Sequence, residues 1–591
     1  MKTCSGGKED SVRSRFCWGI LIAVLAAVHL YGFTHMRFRH SLSHFFPEMR
    51  FSVRQELVQR VGEPYMVWVE KIRRETPPDS GILLPRRPPL PFGVKVNDPI
   101  LNAELSGYFL FPRRVGYDGN PEISAVLGPL FRSSKTGEMT QIRTRVAPPE
   151  PILPDFAENV LTPINLITAL GTLLLLTLSG YWLSVNVLSP SSAPVLWAGA
   201  FVLGLTQLTA FYLLAGFLGW PVTRGIGLAW FIFWGWAGIQ ALRRTSFSSR
   251  SRSAPPQWWV WVIPGFFFLL LFVKNLTLSI HGYDGVYVWG PKAKAIFALQ
   301  GLSGYALWGA GPTHPPLIPI AMAQLAAGGT QTVNLLFPAF ALVLYVFIYD
   351  ALKYASWRPR ECVLIPFFLF TAPMFFRHTM MAYANLPLTV CVTAAALRLP
   401  QAVENGTARD WRAIAFWLTA AVWIRPDGIA WGLYIALVGI LWAWRRRRGL
   451  GLLWMTMPLT AWLVWILCYH IVLKGPADWW YADSPRWNWS HLASALRGTW
   501  EILSAVSDWG ALPVLWLMAL LLRGRELLRS ERSLCFFVAI ALLGLTVYSL
   551  GAVSRWDYDL YFRSAFNRYV MPLVPILSVM ALRALRRHPV V

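Results

Sequence analysis

Charge is scarce in this chain. Of 591 residues only 14% are charged, against 55% hydrophobic and 15% aromatic, and 31 residues are tryptophan. A soluble chain carries about 25% charged residues, so a soluble multidomain protein is excluded. Repeated apolar runs of about 18 residues or more predict a polytopic helical membrane protein instead. Cysteine is scarce too. There are six and no CxxC pair: Cys17, Cys362, Cys391, Cys468 and Cys535 lie in or at the ends of apolar segments, and Cys4 is in the N-terminal tail. A disulfide framework and a cysteine-bound metal are therefore disfavoured. A P-loop, a glycine-rich dinucleotide fingerprint, HExxH and a nucleophile elbow are all missing, which leaves soluble nucleotide-driven chemistry without support.

Among the charged residues, acids are the scarcer. Thirty Asp and Glu face 54 Lys and Arg, a net charge of +24. In a soluble protein that excess would point to nucleic acid. Here the bases flank apolar segments, at Arg243, Arg244, Arg250 and Arg252, at 445–448, at Arg523, Arg525, Arg529 and Arg532, and at Arg583, Arg586 and Arg587. That is the positive-inside pattern, which places these clusters in the cytoplasm. No basic groove interleaved with aromatics is present, so no nucleic-acid partner is predicted.

The chain divides by composition. Residues 1–33 read as a cytoplasmic tail and signal anchor: Lys2, Lys8, Arg13 and Arg15 precede the apolar run 16–33, and no convincing cleavage site follows. Residues 34–158 hold 17 Lys/Arg and 14 Asp/Glu with proline-rich stretches at 84–91 and 148–154, and predict a small α+β domain on the extracytoplasmic side. Residues 159–256 read as accessory transmembrane helices. Residues 257–591 read as the main transmembrane region, with outer loops at 274–330, 474–509 and 552–567. Thirteen apolar segments from 159–186 to 568–584 join the anchor to make about fourteen spans, an all-α polytopic fold whose even parity returns the C-terminus to the cytoplasm. The stretch 315–327 is read as a juxtamembrane or partly inserted outer helix, because counting it as a span would break that parity.

This topology makes the acids informative. Outside 34–158 sixteen remain, and Asp284, Asp427, Asp478, Asp483, Glu501, Asp508, Asp557 and Asp559 fall on or near the outer face. A carboxylate at a membrane interface is costly unless solvated or paired. Asp478, Asp483, Glu501 and Asp508 read as solvated loop acids. Asp284 stands in a denser neighbourhood, with Tyr283, Tyr287, Trp289, Lys292 and Lys294. Aromatic faces stack on sugars, lysines neutralise phosphate, and a carboxylate takes a hydroxyl proton. An ordinary amphipathic helix with headgroup aromatics and snorkelling lysines accounts for the same residues.

Four further places carry polar residues on the outer side. His314 lies in Thr313-His-Pro-Pro-Leu, where two prolines fix the chain as it enters an apolar segment; a lone His is more often structural. Arg377 and His378 join two spans and meet either a phosphate or lipid headgroups, and Asn385 with Pro387 marks a helix start. Arg425 and Asp427 interrupt one apolar run as Arg-Pro-Asp-Gly, a break tolerated only where it is buried or lines a cavity; the two also form a plausible simple ion pair. Arg563 and Arg568 precede the last span, either reaching a phosphate or anchoring at the interface. The loop 474–509, which carries Trp479, Trp480, Trp487, Trp489 and Trp500 among others, reads as an interfacial amphipathic cover.

The order of these motifs is familiar. An outer-loop Asp after a span, His-Pro-Pro-Leu closing that loop, Tyr-Ala-x-x-Pro at a helix start, an Arg-Pro-acid-Gly break and a terminal Arg563, Arg568, Pro572 pattern resemble the GT-C glycosyltransferases. Within these the chain is most similar to the protein O-mannosyltransferase and lipid A aminoarabinose transferase group, over about 257–445 and 555–580. The resemblance implies a GT-C-like membrane glycosyltransferase that uses a polyprenyl-phosphate sugar on the extracytoplasmic side, with a glycan, lipid or protein as acceptor. It implies Asp284 as general base for an inverting transfer, and Lys292, Lys294, Arg377, Arg425, Arg563 and Arg568 as donor-phosphate ligands. Tyr283, Tyr287, Trp289, His314, His378, Asn385 and Asp427 would line the substrate. Members of the group often carry Asp-Glu where this chain has Asp284-Gly285, which leaves the need for a divalent metal open; no other cofactor is implied. A bacterial inner membrane, with the site facing the periplasm, fits the short loops and arginine-rich ends. A flippase or transporter of an anionic lipid or glycan is the rival from another class, and a scaffold displaying 34–158 is a third.

Overall fold

A computed structural model of the chain describes residues 63–76, 81–84, 114–117, 130–133, 139–143, 162–188, 192–222, 224–244, 258–278, 280, 284–302, 305, 313–446, 450–475, 489–552 and 566–586. The anchor expected at 16–33 lies outside them.

The architecture is that of an all-α membrane protein. Among the described residues, seven helical stretches are long and apolar enough to cross a membrane: Pro163–Val187, Ala193–Phe217, Trp258–Leu276, Thr332–Tyr354, Asn385–Asn405, Leu453–Val472 and Arg532–Leu550. Other expected spans are also helical but shorter, as in Pro359–Phe370, Ala408–Ile424 and Leu573–Arg586. Helix Leu512–Ser530 bends at Arg523 and ends in a charged turn. Lipid-type inversion is visible in the side chains, with Ile164, Trp258 and Leu521 each more than 70% exposed, as hydrocarbon-facing residues would be.

Local chemistry sets the helix starts. Thr162, in an extended conformation, accepts the Asn165 N–H at 3.2 Å and is followed by Pro163, whose fixed φ suits the first helical turn. Thr407 caps Ala408–Ile424 through the Asp410 N–H, also at 3.2 Å. Helix Asn385–Asn405 stops at Gly406, whose φ of 65° favours glycine.

Glycine lets the first helices pack backbone to backbone. A Cβ at Gly180 would strike the Ala200 carbonyl and the Gly204 backbone, and one at Gly204 the Leu176 carbonyl. Gly238 is closed in the same way by the Leu178 carbonyl. Small residues at such crossings are the usual device where lipid supplies no hydrophobic drive between helices.

The stretch 315–327 forms a short helix, Leu317–Leu325, continued by a 3₁₀ turn, Ala326–Gly328. Eight of its nine helical residues are buried, so it is enclosed by other helices. It does not lie on a surface.

Upstream, helix Glu63–Glu75 and four short strands are present. Strand β1 (Gly81–Leu84) runs parallel to β2 (Arg114–Tyr117) and to β3 (Leu130–Ser133), and β3 pairs antiparallel with β4 (Met139–Arg143) in the order β2-β1-β3-β4.

Ionic contacts gather at the two ends of the last helical stretch. At one end Arg586 reaches Glu361 at 3.7 Å and the Ser356 carbonyl at 3.3 Å, and Arg583 reaches Glu531 at 3.5 Å. At the other end Arg568 and Asn567 meet Asp284 and Asp508.

Candidate functional site

Asp284 begins a π-helical turn, Gly285–Trp289, that leads into helix Gly290–Leu299. Such a turn re-aims the side chains at its start and is frequent at functional sites. Gly285 is tightly packed: a Cβ there would stand 3.1 Å from Ala382 Cβ and 3.3 Å from Ile280 Cγ2, so these neighbours would have to give way by a few tenths of an ångström. The Asp-Gly pair thus suits the close packing of this turn. Asp284 Oδ2 accepts a hydrogen bond from Arg568 Nη1 at 3.0 Å, with the two side chains 20% and 24% exposed.

From Arg568 the contacts run around a ring. Its guanidinium lies 5.6 Å from the centroid of Tyr383, and Tyr383 packs edge-on against His378 at 5.6 Å. His378 Nε2 is 3.1 Å from Asn385 Nδ2, and Asn385 Oδ1 accepts a short bond from Arg425 Nη1. Arg425 Nε donates to Asp427 Oδ1 at 2.8 Å, and its guanidinium lies 5.4 Å from the ring of Tyr569, the residue next to Arg568. Five separate pieces of chain supply this circuit: the Asp284 turn, helix Pro373–His378, the start of helix Asn385–Asn405, the break between Ala408–Ile424 and Gly428–Arg446, and the short helix Asn567–Val570.

The electrostatics follow from burial among arginines. Burial holds the His378 imidazole well below its ordinary proton affinity; Arg377 and Arg568 push the same way, the hydrogen bond to the Met374 carbonyl opposes them, and Arg425 adds a smaller push. Burial opposes the charge on Arg425, but Asp427, Tyr569 and Asp284 outweigh it and keep the guanidinium protonated. With His378 neutral, Arg425 and Arg568 pair with Asp427 and Asp284, and Arg377 adds a further positive charge beside His378. That arrangement suits one further anion.

Among the buried polar atoms in these segments, Asp427 Oδ2, Asn567 Oδ1 and Trp289 Nε1 have no hydrogen-bond partner among the described residues. Two are acceptors and one is a donor. Buried groups of this kind are normally satisfied, and a ligand rich in hydroxyls would satisfy them.

Asp284, Arg568, Arg425, Asp427, Asn385 and His378, each singled out from the sequence, lie along this run of contacts, and the ion pair of Arg425 with Asp427 exists alongside the Asn385 contact. Trp289 packs against His314, with ring centroids 5.2 Å apart. Lys292 and Lys294 are buried along helix Gly290–Leu299, Lys292 with its Nζ 5.1 Å from the Tyr305 ring. Arg377 is partly buried, with Nη2 3.5 Å from Met374 Sδ. Tyr283, Arg563 and the side chain of Tyr287 lie outside the described residues, as do Asp478, Asp483, Asp557 and Asp559. Asp508 departs from its expected place in a solvated loop: it accepts from Asn567 Nδ2 at 3.4 Å. The short helix Val506–Trp509 carries it, and buried Trp509 packs there on Phe375. Glu501 is a surface acid paired with Arg497.

Tyr383, Tyr569 and Asn567 were not among the residues singled out from sequence. Tyr383 stands inside the Tyr-Ala-x-x-Pro motif, and the other two flank Arg568, so adjacency was the available signal. Asn275 is fully buried, donating to the Leu271 carbonyl at 2.8 Å and the Thr379 carbonyl at 3.1 Å. Among the described residues no three His, Cys, Asp or Glu side chains gather as metal ligands would. No protein-family model matches the chain, and neither a curated protein nor a solved structure matches it.

Proposed function

We propose that this chain is an integral-membrane glycosyltransferase that moves a sugar from a polyprenyl-phosphate donor to an acceptor hydroxyl on the extracytoplasmic face, with inversion and with Asp284 as general base. The observation that carries the reading is the pairing of a partly accessible carboxylate, Asp284, with Arg568, beside the Arg425–Asp427 pair and a buried His378 held neutral.

The chemistry fits that pairing. The acceptor O–H gives its proton to Asp284, the acceptor oxygen bonds to the anomeric carbon, and the bond from that carbon to the phosphate oxygen breaks. Asp284 loses its negative charge as the departing lipid phosphate goes from a singly charged diester to a monoester of about −2. Arg568, bonded to Asp284 beforehand, is placed to follow the charge onto the leaving group, with Arg425 and Arg377 beside it. No protein nucleophile takes part. Asp427 Oδ2 and Asn567 Oδ1 accept sugar hydroxyls.

The wider reading follows the same line: a GT-C-like bundle of about fourteen spans, the Asp284 end facing the periplasm of a bacterial inner membrane and the Arg583–Arg587 end in the cytoplasm. Residues 34–158 form a small α+β extracytoplasmic domain, and the helix and four strands within it support that assignment.

The test is release of free polyprenyl phosphate from a panel of labelled polyprenyl-phosphate sugars, in membranes that contain the native acceptors. Wild-type release is the expected result. Absence of release across the panel would overturn the reading and favour transport of an anionic lipid or glycan.

A further inference from the structure

His378 is fully buried, and the groups at its two ring nitrogens differ in kind. Nδ1 stands 3.1 Å from the Met374 carbonyl oxygen, four residues back on the same short helix. A carbonyl only accepts, so Nδ1 carries the proton. Nε2 is then bare in the neutral ring and accepts. Its partner at 3.1 Å is Asn385, which meets it by turning its NH₂ inward. That choice fixes the opposite edge of the same amide: Oδ1 points to Arg425 and accepts from Nη1. Arg425 Nε is engaged by Asp427. The donors run one way along the chain, from Arg425 through Asn385 and His378 to the Met374 carbonyl.

We infer that His378 is a positioning residue: its neutral Nδ1–H form sets the Asn385 amide, and the amide holds the Arg425 guanidinium in place for the substrate anion. This replaces the substrate-lining role that the sequence suggests for His378 and Asn385. It rests on the proposed function only for the identity of that anion. The relay itself is a property of the folded chain.

A bond at each end explains why the arrangement has one solution. If the ring carried its proton on Nε2, two donors would face each other across the Asn385 contact. The amide would turn over and present its own N–H groups to Arg425. The charged groups around His378 are Arg377 on its own helix and Arg568 and Arg425 across the site. Asp508 sits on the neighbouring helix Val506–Trp509 and is bonded to Asn567. Tyr383 presents its ring edge-on. Burial and the three arginines disfavour a fourth positive charge at His378, so the neutral form that the relay requires is the one its surroundings select.

The test uses ¹⁵N-histidine labelling of the full chain in lipid nanodiscs, with the His378 signal identified by its loss in His378→Gln. In wild type it should show the neutral Nδ1–H form at pH 7 and keep it at pH 5.5. A protonated Nε2 in wild type, or titration near an ordinary histidine value, would overturn the relay. In Asn385→Asp the side chain no longer donates, so Nε2 should gain a proton and His378 should become charged at pH 7. An unchanged neutral signal in folded Asn385→Asp would contradict the coupling. In lipid-phosphate release, His378→Leu should lower the rate about tenfold or more and add little in an Asn385→Leu background, whereas His378→Gln, which both donates and accepts, should restore most of it. Additive losses would contradict positioning through Asn385. Failure of wild type to release lipid phosphate would sink the proposed function and leave the nitrogen signals to decide the relay.

Discussion

Asp284 Oδ2 and Arg568 Nη1 lie 3.0 Å apart although 284 residues of chain separate them. The pair joins the turn after helix Val262–Thr277 to the start of the last helical stretch, and each side chain keeps about a fifth of its surface accessible. Full exposure would screen such a pair to little effect, and full burial would close it to substrate.

Arg568 should therefore act in the chemical step. Arg568→Gln is expected to lower the turnover number for lipid-phosphate release about 10²–10³-fold, as loss of a preorganised donor to a developing anion does. Arg568→Lys should fall between that and wild type, since it keeps charge but loses the planar fork over Tyr383. Steady-state kinetics on both variants check this; a change confined to KM would count against it.

Gly285 should tolerate a side chain poorly. Gly285→Ala puts a Cβ against Ala382 and Ile280 and displaces the Asp284 turn. A shift of about 1 Å at a reacting group costs up to about 10²-fold in rate. Activity should fall while the protein still purifies folded, and an Ala variant with the wild-type rate would refute the packing argument.

The Pro163–Val187 helix should fail to dock when its glycine contact is filled. Gly180→Leu and Gly204→Leu each force apart backbones in direct contact. Overpacking of this kind costs about 1–3 kcal/mol or more, so a thermal shift of several degrees is expected in detergent. Gly171→Leu is the control, because a Cβ there meets nothing.

Acid should weaken the fold through His378. Its folded-state proton affinity lies below the ordinary value, so the unfolded chain binds the proton more readily. The stabilisation is fully present above about pH 6.5 and declines as pH falls below it towards the folded-state value. Denaturation between pH 7.5 and 5 should show this slope in wild type and a shallower one in His378→Gln. Equal slopes would assign the pH dependence elsewhere.

Sidedness is testable by cysteine labelling. Ser504 and Glu404 are exposed near opposite ends of the bundle. A membrane-impermeant maleimide should label Ser504→Cys from the periplasmic side, and Glu404→Cys only after permeabilisation, each measured against wild type. The reverse pattern would invert the proposed topology.

Much of the site is legible in the sequence because a membrane chain strands so few polar residues beside apolar runs. Asp284, Arg425, Asp427, Asn385, His378 and Arg568 each stand out for that reason. Their partners do not. The pairing of Asp284 with Arg568 is a tertiary fact, and Asp508 reads as a loop acid until Val506–Trp509 is seen packing beside helix Pro373–His378. Tyr383 and Tyr569 are lost among many aromatics. The helices are legible from apolar runs, but runs such as 362–376 do not reveal that the helix ends at Phe370 and restarts at Pro373. Prolines and polar residues within apolar stretches shorten helices in ways that hydropathy alone averages out.

The most direct measurement compares wild type with Asp284→Asn for release of polyprenyl phosphate from the labelled donor panel, at equal amounts of folded protein. Asn keeps the size and removes the base. The account predicts release by wild type and a loss of about 10²–10⁴-fold in the variant, the range for removing a general base. Equal release by both would show that Asp284 does not take the acceptor proton, and the proposed mechanism would fall.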